Sequence, residues 1–483
     1  MSLFGYISAP LAISLFILCL TWFLLSFWSK NRNLPPGPRG IPYFGYYPFL
    51  SPKPYLDFAR LAERYGDVFS FRTAGGTLFV VLNSIKAIKE VLVNRSEEFI
   101  GRPLESNLLE WLSDGLGVTQ EEGAPWKEHR RFFLQTVKSF GFGKQEIEVT
   151  IQDLIRTMLA DLRKTDGHQK VDLTLHVGHV VNSTIMQIMF GKKLDKNGDV
   201  FPRLVKAVKD LIAVFADNRF MLVGIPFRLS LYLRPWSSDV RQGQSFLKQT
   251  VKDIIDEHVR TYDPGHLRDY VDSYLHEREK QKKSGNLEGS TFTMERLLSI
   301  SMNMTMEGTE STGDSVCILL TQASRYPEEQ LKVQEELDTV VGREALPSWA
   351  DRKRLPYLEA FIQELYRTRQ PFSITTQYCN FEETTLNGYR IPKRSILVGN
   401  LWSINNDPEI YENPSEFNVN RFLGKDGKKI KTDGPYPFSM GKRDCVGQAL
   451  AQMEVFLIIA SILQNFTLHS TGEEAVVEVV LRD

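Results

Sequence analysis

The spacing of apolar positions along the chain predicts its elements. Two short β-prone runs, Val68–Arg72 and Thr77–Leu82, flank a glycine-containing turn, which is the pattern of a β-hairpin. A helix is expected to start near residues 83–84. From about residue 126 onward apolar residues recur at helical spacing, with polar breaks at Asp195–Asp199 and Lys280–Ser290. A β-like pattern returns from about residue 381 to 398, so the expected fold class is mainly α with small β-sheets.

A long apolar segment lies near the N-terminus. No charged residue occurs from Ser2 to Ser29, and the run Leu11–Trp28 is long enough for a helix to cross a bilayer. A cleavable signal peptide is the alternative, but no basic stretch precedes the run and no small-residue cleavage site follows it. Residues 1–29 are therefore expected to be a retained transmembrane anchor.

The segment after the anchor is basic and rich in proline. Lys30, Arg32 and Arg39 follow the apolar run directly, so the positive-inside rule places the rest of the chain in the cytoplasm. The prolines of residues 30–40 cannot continue a helix and predict a stiff extended hinge. The remainder, residues 41–483, is expected to hold the chemistry.

Composition narrows the class of protein without identifying it. The chain has 483 residues, of which 42% are hydrophobic and 24% charged, and a formal net charge of -1. These values fit a globular protein with a large core and give no global argument for a nucleic-acid partner. The four cysteines, Cys19, Cys317, Cys379 and Cys445, have no paired or metal-finger spacing, so disulfides are not expected to be the scaffold.

A single cysteine near the C-terminus lies in a distinctive setting. Phe438, Gly441, Arg443 and Gly447 frame Cys445, and a long apolar helical stretch follows. The glycines permit backbone angles that are closed to other residues and a close approach to a flat ligand. The positive N-terminus of the following helix favours an ionised thiolate. An ordinary buried thiol is the alternative, but chance agreement of five residue types at these spacings is rare, on the order of one in ten thousand sequences.

The pattern F-x-x-G-x-R-x-C-x-G resembles the haem-binding loop of the cytochrome P-450 (haem-thiolate) superfamily. The resemblance covers nearly the whole chain, and its arrangement is most similar to that of the microsomal members. It implies the cytochrome P-450 fold in one large domain, with haem b between a long distal helix and the proximal cysteine loop. Cys445 is then the axial thiolate ligand of the iron, and Arg443 a partner of a haem propionate.

Two further motifs of the superfamily find matches. Trp126 and Arg130, at i and i+4 on one helical face, offer donors suited to carboxylates. In general such a pair is a packed ring and a surface charge, but in the matching W-x-x-x-R motif both bind haem propionates. Glu364 and Arg367, with Arg421 downstream, match E-x-x-R and its partner arginine, which form a buried structural ion network.

The stretch that matches the family's oxygen-activating motif departs from it. Glu310 takes the position of the acid, Ser311 that of the usual threonine, and Thr312 lies beside it, so all three are candidate catalytic residues. Glu307 replaces a small residue, and either enters the pocket or points away into solvent. Because Glu307 and Asp314 share a helical face, each is expected to raise the pKa of the other.

A second departure follows Arg367. Gln377 and Tyr378 stand where the family has a proline and a propionate-binding arginine or histidine. Tyr378 retains a hydrogen-bond donor but no charge, so weaker haem binding is expected. The variable loops that form the pocket and its entrance correspond to Arg102–Gly117 and Asp217–Trp236, and Phe372, Ile374 and Thr375 are also expected to line the pocket.

The resemblance implies a monooxygenase that inserts one atom of O2 into a small lipophilic substrate such as a steroid, fatty acid, terpenoid or xenobiotic. Electrons would come from NADPH through a reductase, with a cytochrome b-type donor as an additional partner, at the endoplasmic reticulum membrane. The basic residues Lys127, Arg131, Lys138, Lys144 and Lys442 suggest a docking patch for that donor, or else a solvated face. Two alternatives remain: a haem-thiolate isomerase or dehydratase acting on a peroxide, and a non-catalytic haem-binding protein.

Overall fold

The computed structural model describes residues 32–103, 108–141, 145–164, 169–192, 200–212, 237–285 and 289–482, together with the single positions 14 and 18. The expected break at Asp195–Asp199 and the expected entrance loop Asp217–Trp236 lie outside these residues, as does nearly all of the expected anchor. Among the helices of the described ranges, none combines the length and the apolarity that crossing a bilayer requires.

Helices make up most of the described chain, as the apolar spacing predicts. In chain order the α-helices are α1 Pro54–Tyr65, α2 Ile85–Lys89, α3 Ser96–Phe99, α4 Leu108–Ser113, α5 Gly117–Gln120, α6 Gly123–Ser139, α7 Gln145–Arg163, α8 Leu173–Phe190, α9 Val200–Ile212, α10 Ser237–Thr261, α11 Tyr270–Lys283, α12 Met294–Ala323, α13 Pro327–Val340, α14 Pro356–Thr368, α15 Leu401–Asn405 and α16 Gln448–Asn465. A single π-helical turn, Glu90–Asn94, follows α2.

Three small sheets accompany these helices. Their strands are β1 Val68–Arg72, β2 Leu78–Leu82, β3 Gln169–Asp172, β4 Tyr378–Cys379, β5 Thr384–Leu386, β6 Tyr389–Ile391, β7 Ile396–Gly399, β8 Phe466–Ser470 and β9 Val476–Leu481. The largest has the order β1-β2-β7-β4, in which β2 and β7 are parallel and the other neighbours antiparallel. The others are β3-β9-β8 and the hairpin β5-β6. The fold is therefore mainly α with small sheets.

The predicted hairpin forms and is buried on both faces. β1 and β2 pair antiparallel around the turn at Ala74–Gly76. Val80 belongs to one hydrophobic cluster and the adjacent Val81 to another, because successive side chains of a strand point to opposite faces. Covering of both faces explains why β2 reads as a continuous apolar run rather than an alternating one.

The largest hydrophobic cluster joins the helices, and α12 runs through it. α12 has 30 residues, a length of about 45 Å at the rise of an α-helix. It packs along α8 and also contacts α5, α10 and α16. This placement brings the middle of α12 opposite the start of α16, where Cys445 lies.

Two element predictions need comment. The helix expected near residues 83–84 is confirmed, since α2 begins at Ile85 and the Ser84 hydroxyl caps it by accepting from the Ala87 N–H. The polar break is predicted to begin at Lys280, and this boundary is wrong because α11 continues to Lys283. Lysines in the last turn of a helix interact favourably with its C-terminal dipole, so a polar run there does not end the helix. The apolar spacing did not indicate α1.

Candidate active site

The loop that contains Cys445 is closed by its own backbone. The Cys445 N–H donates to the Phe438 carbonyl at 3.0 Å, and the Asp444 N–H donates to the Gly441 carbonyl at 3.1 Å. Gly441 has a φ of +82°, and a Cβ at this position would lie 1.8 Å from the Leu92 carbonyl oxygen. Only glycine fits there, as expected. Gly447 is different, because its φ of -89° is ordinary and its Cβ would meet the Cys445 sulfur at an acceptable 3.8 Å, so the expectation of a special backbone angle is wrong at this residue.

The sulfur of Cys445 lies at the N-terminus of α16. Gly447 is the N-cap of that helix, and its backbone N–H hydrogen-bonds the sulfur and lowers the pKa of the thiol. Burial acts more strongly and raises this pKa to about 11. The residue nevertheless has exposed surface, so it borders a space inside the protein. We call this space, which lies between Cys445 and Glu307, the recess. The helix terminus alone therefore does not ionise the thiol, and coordination to a cation is the interaction that would.

Arg443 is buried beside the recess with carbonyl oxygens as its partners. Its guanidinium lies 3.8 Å from the centroid of the Trp126 ring. It donates to the carbonyls of Ile100 at 3.1 Å, Thr119 at 3.4 Å and Glu121 at 2.7 Å. Burial, together with the nearby Arg102 charge, lowers the pKa of Arg443 to about 8. A nearby anion would stabilise the charged form of such a buried guanidinium and raise its pKa.

Arg102 is a buried residue of the candidate site that the sequence patterns do not single out. It was assigned only to a variable loop, but its guanidinium is buried and donates to Thr119 O at 3.0 Å, to Thr376 Oγ1 at 3.2 Å and to Gln377 O at 2.6 Å. It also lies over the ring of Tyr378, 4.7 Å from the centroid. No local pattern marks this residue, since it follows only the short stretch Phe99-Ile100-Gly101.

Trp126 and Arg130 lie on the same helix, α6, and both use their donors within the protein. Trp126 Nε1–H donates to the Val118 carbonyl at 3.0 Å. Arg130 donates to Asp444, at 2.8 Å to the carbonyl and 2.5 Å to Oδ1. Burial lowers the pKa of Arg130, and Asp444 and Cys445 act in the opposite direction. Arg130 therefore lies close to the sulfur, and the roles of Trp126 and Arg130 toward a propionate stay predictions.

The three guanidiniums form one cluster, to which Arg102, Arg130 and Arg443 belong. In the described part of the chain only the guanidinium of Arg130 contacts a carboxylate, since those of Arg102 and Arg443 form no salt bridge there. The backbone N–H of Arg102, by contrast, donates to Glu122 Oε1. Buried charges are ordinarily paired. The cluster is suited to bind one or two carboxylates that the polypeptide does not provide. Tyr378 adds a phenol, whose oxygen lies 3.5 Å from Ser439 Oγ.

Glu307 faces the recess from α12. Its Oε2 accepts from the Thr119 hydroxyl at 3.1 Å, and its Oε1 is buried without a partner among the described residues. Burial raises the pKa of Glu307 to about 7, against the effect of Thr119 and Arg102. The same carboxyl contributes to the raised pKa of Cys445. Of the two readings of Glu307, the structure places the group inside the protein rather than in solvent.

The candidate catalytic residues occupy two faces of α12. Ser311 donates its hydroxyl to the Glu307 carbonyl at 2.5 Å, and Thr312 is buried. Burial and the neighbouring Asp314 raise the pKa of Glu310 to about 7, whereas Lys209 of α9 lowers it. The predicted coupling of Glu307 with Asp314 is wrong, because Asp314 acts on Glu310 one turn away. Two turns separate it from Glu307, about 10 Å along the axis.

The predicted ion network assembles as a buried unit. Arg367 donates from Nε and Nη2 to the two carboxylate oxygens of Glu364, each at 2.7 Å, and neither side chain is exposed. Arg421 Nε lies 3.5 Å from Glu364 Oε1. Arg367 also donates to the carbonyls of Asn405, Pro414 and Glu416. The network therefore ties α14 to the segment that precedes the cysteine loop.

The three residues expected to line the pocket beyond Arg367 have different surroundings. Ile374 packs in the cluster on one face of the main sheet. Thr375 Oγ1 accepts from the Gly399 N–H at 2.9 Å. Phe372 is exposed. The fold thus uses Ile374 and Thr375 in packing, and their contact with a substrate stays a prediction. Phe438 packs its ring edge-on to Tyr366, 6.2 Å between centroids.

Comparison with known proteins agrees with this arrangement. A profile of the family described as "Cytochrome P450" matches residues 35–479. The chain is 30% identical over 476 residues to cytochrome P450 2A6 of Homo sapiens, and this alignment covers 98% of this chain and 95% of that protein. It is 32% identical to cytochrome P450 2A13 of Homo sapiens, over 96% of this chain and 94% of that one. It is 33% identical to cytochrome P450 2C20 of Macaca fascicularis, over 95% of this chain and 93% of that one.

Proposed function

The chain belongs to the cytochrome P450 family, and on this premise we propose how its residues perform the family's chemistry. The protein is an oxidoreductase, a haem-thiolate monooxygenase that inserts one atom of O2 into a small lipophilic substrate. Neither the peroxide isomerase nor the non-catalytic alternative is needed to account for a match over almost the whole chain. The assignments of residues, partners and location below are proposals.

Cys445 is proposed as the axial ligand of haem b. The observation that supports this most is the position of its sulfur, at the N-terminus of α16 and beside the buried guanidiniums of Arg102, Arg130 and Arg443. A cation at the sulfur would ionise the thiol, and carboxylates would neutralise the guanidiniums, so the site fits a group that has both. Trp126 holds Arg443 in place by its ring. When bound, haem with a thiolate ligand supplies the activation of O2.

The proposed carboxylate contacts add Arg102 to the expected Arg130 and Arg443, whereas the Trp126 N–H already donates to the Val118 carbonyl. Arg102 and Arg443 have guanidiniums buried against carbonyl oxygens, and both share Thr119 O as an acceptor. We assign these two arginines and Arg130 to the haem propionates. Phe438 and Gly441 shape the cysteine loop that would hold the haem, and Gly447 directs its N–H to the sulfur.

Glu310, Ser311 and Thr312 are proposed to move the protons that the reaction consumes. The Glu310 carboxyl, with a pKa of about 7, holds a proton near neutral pH and exchanges it readily. The hydroxyls of Ser311 and Thr312 can each accept and donate one. In this assignment Glu310 takes protons from the side of α9 and the hydroxyls deliver them toward the recess.

Location and partners follow from the N-terminal segment and from the family. We propose residues 1–29 as an anchor in the endoplasmic reticulum membrane, residues 30–40 as the hinge and residues 41–483 as the cytoplasmic catalytic domain. Apolar side chains at Ile41, Tyr43, Phe44 and Phe49, directly after the hinge, are exposed, which supports contact with membrane lipid. The electron donor is proposed to be an NADPH-dependent reductase, with a cytochrome b-type donor as a second partner.

The test uses the purified full-length protein with haem, NADPH and a purified reductase. Substrate oxidation that requires both NADPH and the reductase is expected, together with a thiolate-type reduced carbon-monoxide spectrum that Cys445→Ala abolishes. A normal spectrum from Cys445→Ala would disprove the ligand assignment. Turnover of an organic peroxide with no NADPH-dependent product would instead favour isomerase or dehydratase chemistry.

A further inference from the structure

Glu307 has an unmet hydrogen bond inside the protein, on the side of α12 that faces Cys445. One carboxyl oxygen, Oε2, accepts from Thr119, and the other, Oε1, is buried without a partner among the described residues. Rotation about the Cγ–Cδ bond exchanges the two oxygens. The carboxyl group can therefore accept at least one further hydrogen bond from the recess.

Among the described residues, the surrounding side chains do not provide that donor. Arg102 is the cation that acts on the Glu307 carboxyl, but its guanidinium already donates to Thr119, Thr376 and Gln377. On α12 itself the Ser311 hydroxyl is directed to the Glu307 backbone carbonyl. With no donor for the free oxygen among the described residues, a group that enters the recess can supply one.

Thr119 fixes where this carboxyl lies. Its hydroxyl binds Glu307, while its backbone carbonyl accepts from Arg102 and Arg443. The carboxyl is thus attached to the same short helix, α5, that supports the arginine cluster. Because this hydrogen bond fixes the position of the carboxyl group, the carboxyl orients any ligand that hydrogen-bonds to it.

On the basis of the proposed function, we infer that Glu307 is a specificity-determining residue that accepts a hydrogen bond from a donor on the substrate. The substrate class is a lipophilic small molecule that has a hydroxyl or a protonated amine. The hydrogen bond fixes which end of the molecule lies at α12 and therefore which carbon faces the cysteine side. A substrate without a donor leaves the carboxyl oxygen unpaired and binds more weakly, by roughly 10- to 100-fold.

The experiment measures binding rather than turnover. Haem-loaded wild-type protein and its variants are equilibrated by dialysis with three probes that share one fused-ring hydrocarbon skeleton and differ in one substituent, a hydroxyl, a protonated amine or a methyl ether. The wild type is expected to bind the hydroxyl and amine probes roughly 10- to 100-fold more tightly than the ether. Glu307→Leu is expected to remove this preference, because it keeps bulk and removes the acceptor.

Two further variants make the result specific. Asp314→Asn removes an acidic group two turns away on the same helix and is expected to keep the preference. Glu307→Gln keeps a neutral acceptor, so it should retain the preference for the hydroxyl and lose any extra affinity for the amine; it also serves as the test if Glu307→Leu does not fold. A wild type without preference, or a preference that survives in Glu307→Leu, would overturn the inference.

The same probes separate this inference from the proposed function. Oxidation of the ether probe with NADPH and reductase, together with equal affinity for all three probes, would reject the role of Glu307 and leave the monooxygenase intact. A clear preference for donors with no NADPH-dependent oxidation of any probe would reject the proposed function and leave the binding role of Glu307 standing.

Discussion

Arg102 and Arg443 each hold a guanidinium inside the protein with neutral oxygens as partners. Burial of the Arg443 guanidinium and the nearby Arg102 charge both disfavour the charged form of Arg443, so its pKa falls to about 8. Two carboxylates placed between these side chains would reverse that effect. At the residue scale, the main electrostatic feature of the site is therefore positive charge that a bound anion would stabilise.

We predict that Arg102→Gln weakens haem retention. The change removes a charge that would bind a propionate, and a hydrogen bond to a charged group contributes about 1.5–3 kcal/mol. The haem-to-protein ratio after purification, and the rate of haem transfer to a scavenging haem-binding protein, measure the effect. Arg131→Gln, an exposed arginine on α6, is the control. Equal haem loss from both variants would contradict the assignment.

Arg102 also illustrates what sequence can predict at this scale. The cysteine loop and the Trp126–Arg130 pair are local patterns, and both were found because their members lie within ten residues of one another. Arg102 meets Gln377 and Arg443 only through the fold, more than 270 residues along the chain. The predicted effect of Glu307 and Asp314 on each other's pKa is wrong for a related reason. Helical spacing places both residues on one face of α12, but the two turns between them keep the carboxyl groups too far apart.

Buried charged groups join elements of the described chain, and two of these connections differ in how far sequence could predict them. Glu364 and Arg367 link α14 to the segment 405–421 through hydrogen bonds to the carbonyls of Asn405, Pro414 and Glu416. His258 at the end of α10 links that helix to Asp269, the N-cap of α11. The resemblance to the family pattern E-x-x-R predicts the first, because that pattern includes its residues. The second had no local signal, since its partners lie on either side of a loop.

We predict that Glu364→Ala lowers the free energy of unfolding by about 3–5 kcal/mol, because it leaves Arg367 buried and unpaired. Asp153→Ala breaks a pair at the same i,i+3 spacing that is exposed, and should cost only about 0.3–0.5 kcal/mol. Denaturant unfolding of both variants measures the difference. If Glu364→Ala does not fold, Glu364→Gln takes its place. Equal small losses would show that the network adds no stability.

We predict that the His258–Asp269 pair stabilises the fold in a pH-dependent way. Burial lowers the pKa of His258, but its hydrogen bonds to Asp269 and to the Ile254 carbonyl outweigh burial, and Arg268 opposes them only weakly, so the net pKa is raised. The stabilisation is fully present below the unfolded pKa of about 6.5 and is lost as pH rises through the folded pKa.

The comparison is between wild type and His258→Gln across a pH series. The difference in Tm should be largest near pH ~6 and should shrink toward pH ~9, where the histidine is neutral in both states. A difference that stays constant, or that grows with pH, would contradict the charged pair. Thermal unfolding followed by circular dichroism at each pH provides the measurement.

At the scale of the whole molecule, the basic residues beside the cysteine loop do not form a simple positive face. Lys127 and Lys442 both form ion pairs with Glu97, which lies between them. Arg131 is exposed and lies one turn after Lys127 on the same side of α6. The proposed docking surface is therefore mixed in charge, and Glu97 limits the attraction it offers to an acidic partner.

We predict that reversing Lys127, Arg131 and Lys442 to Glu slows reduction by the reductase about tenfold at low salt, with a smaller effect at high salt. Glu97→Gln should act in the opposite direction, because it frees two lysines. Stopped-flow rates of first-electron transfer across ionic strength measure both. Rates that are unchanged in both variants at low salt would place the docking surface elsewhere.

The contact between Gly441 and the Leu92 carbonyl has a consequence for how this protein is assembled. Leu92 belongs to the π-helical turn that follows the first hairpin, some 350 residues before the cysteine loop. The loop takes its shape against a backbone made in the first fifth of the chain. A C-terminal fragment containing every residue of the motif would lack the surface that shapes it, so the most recognisable stretch of this sequence is also one of the least able to form its structure alone.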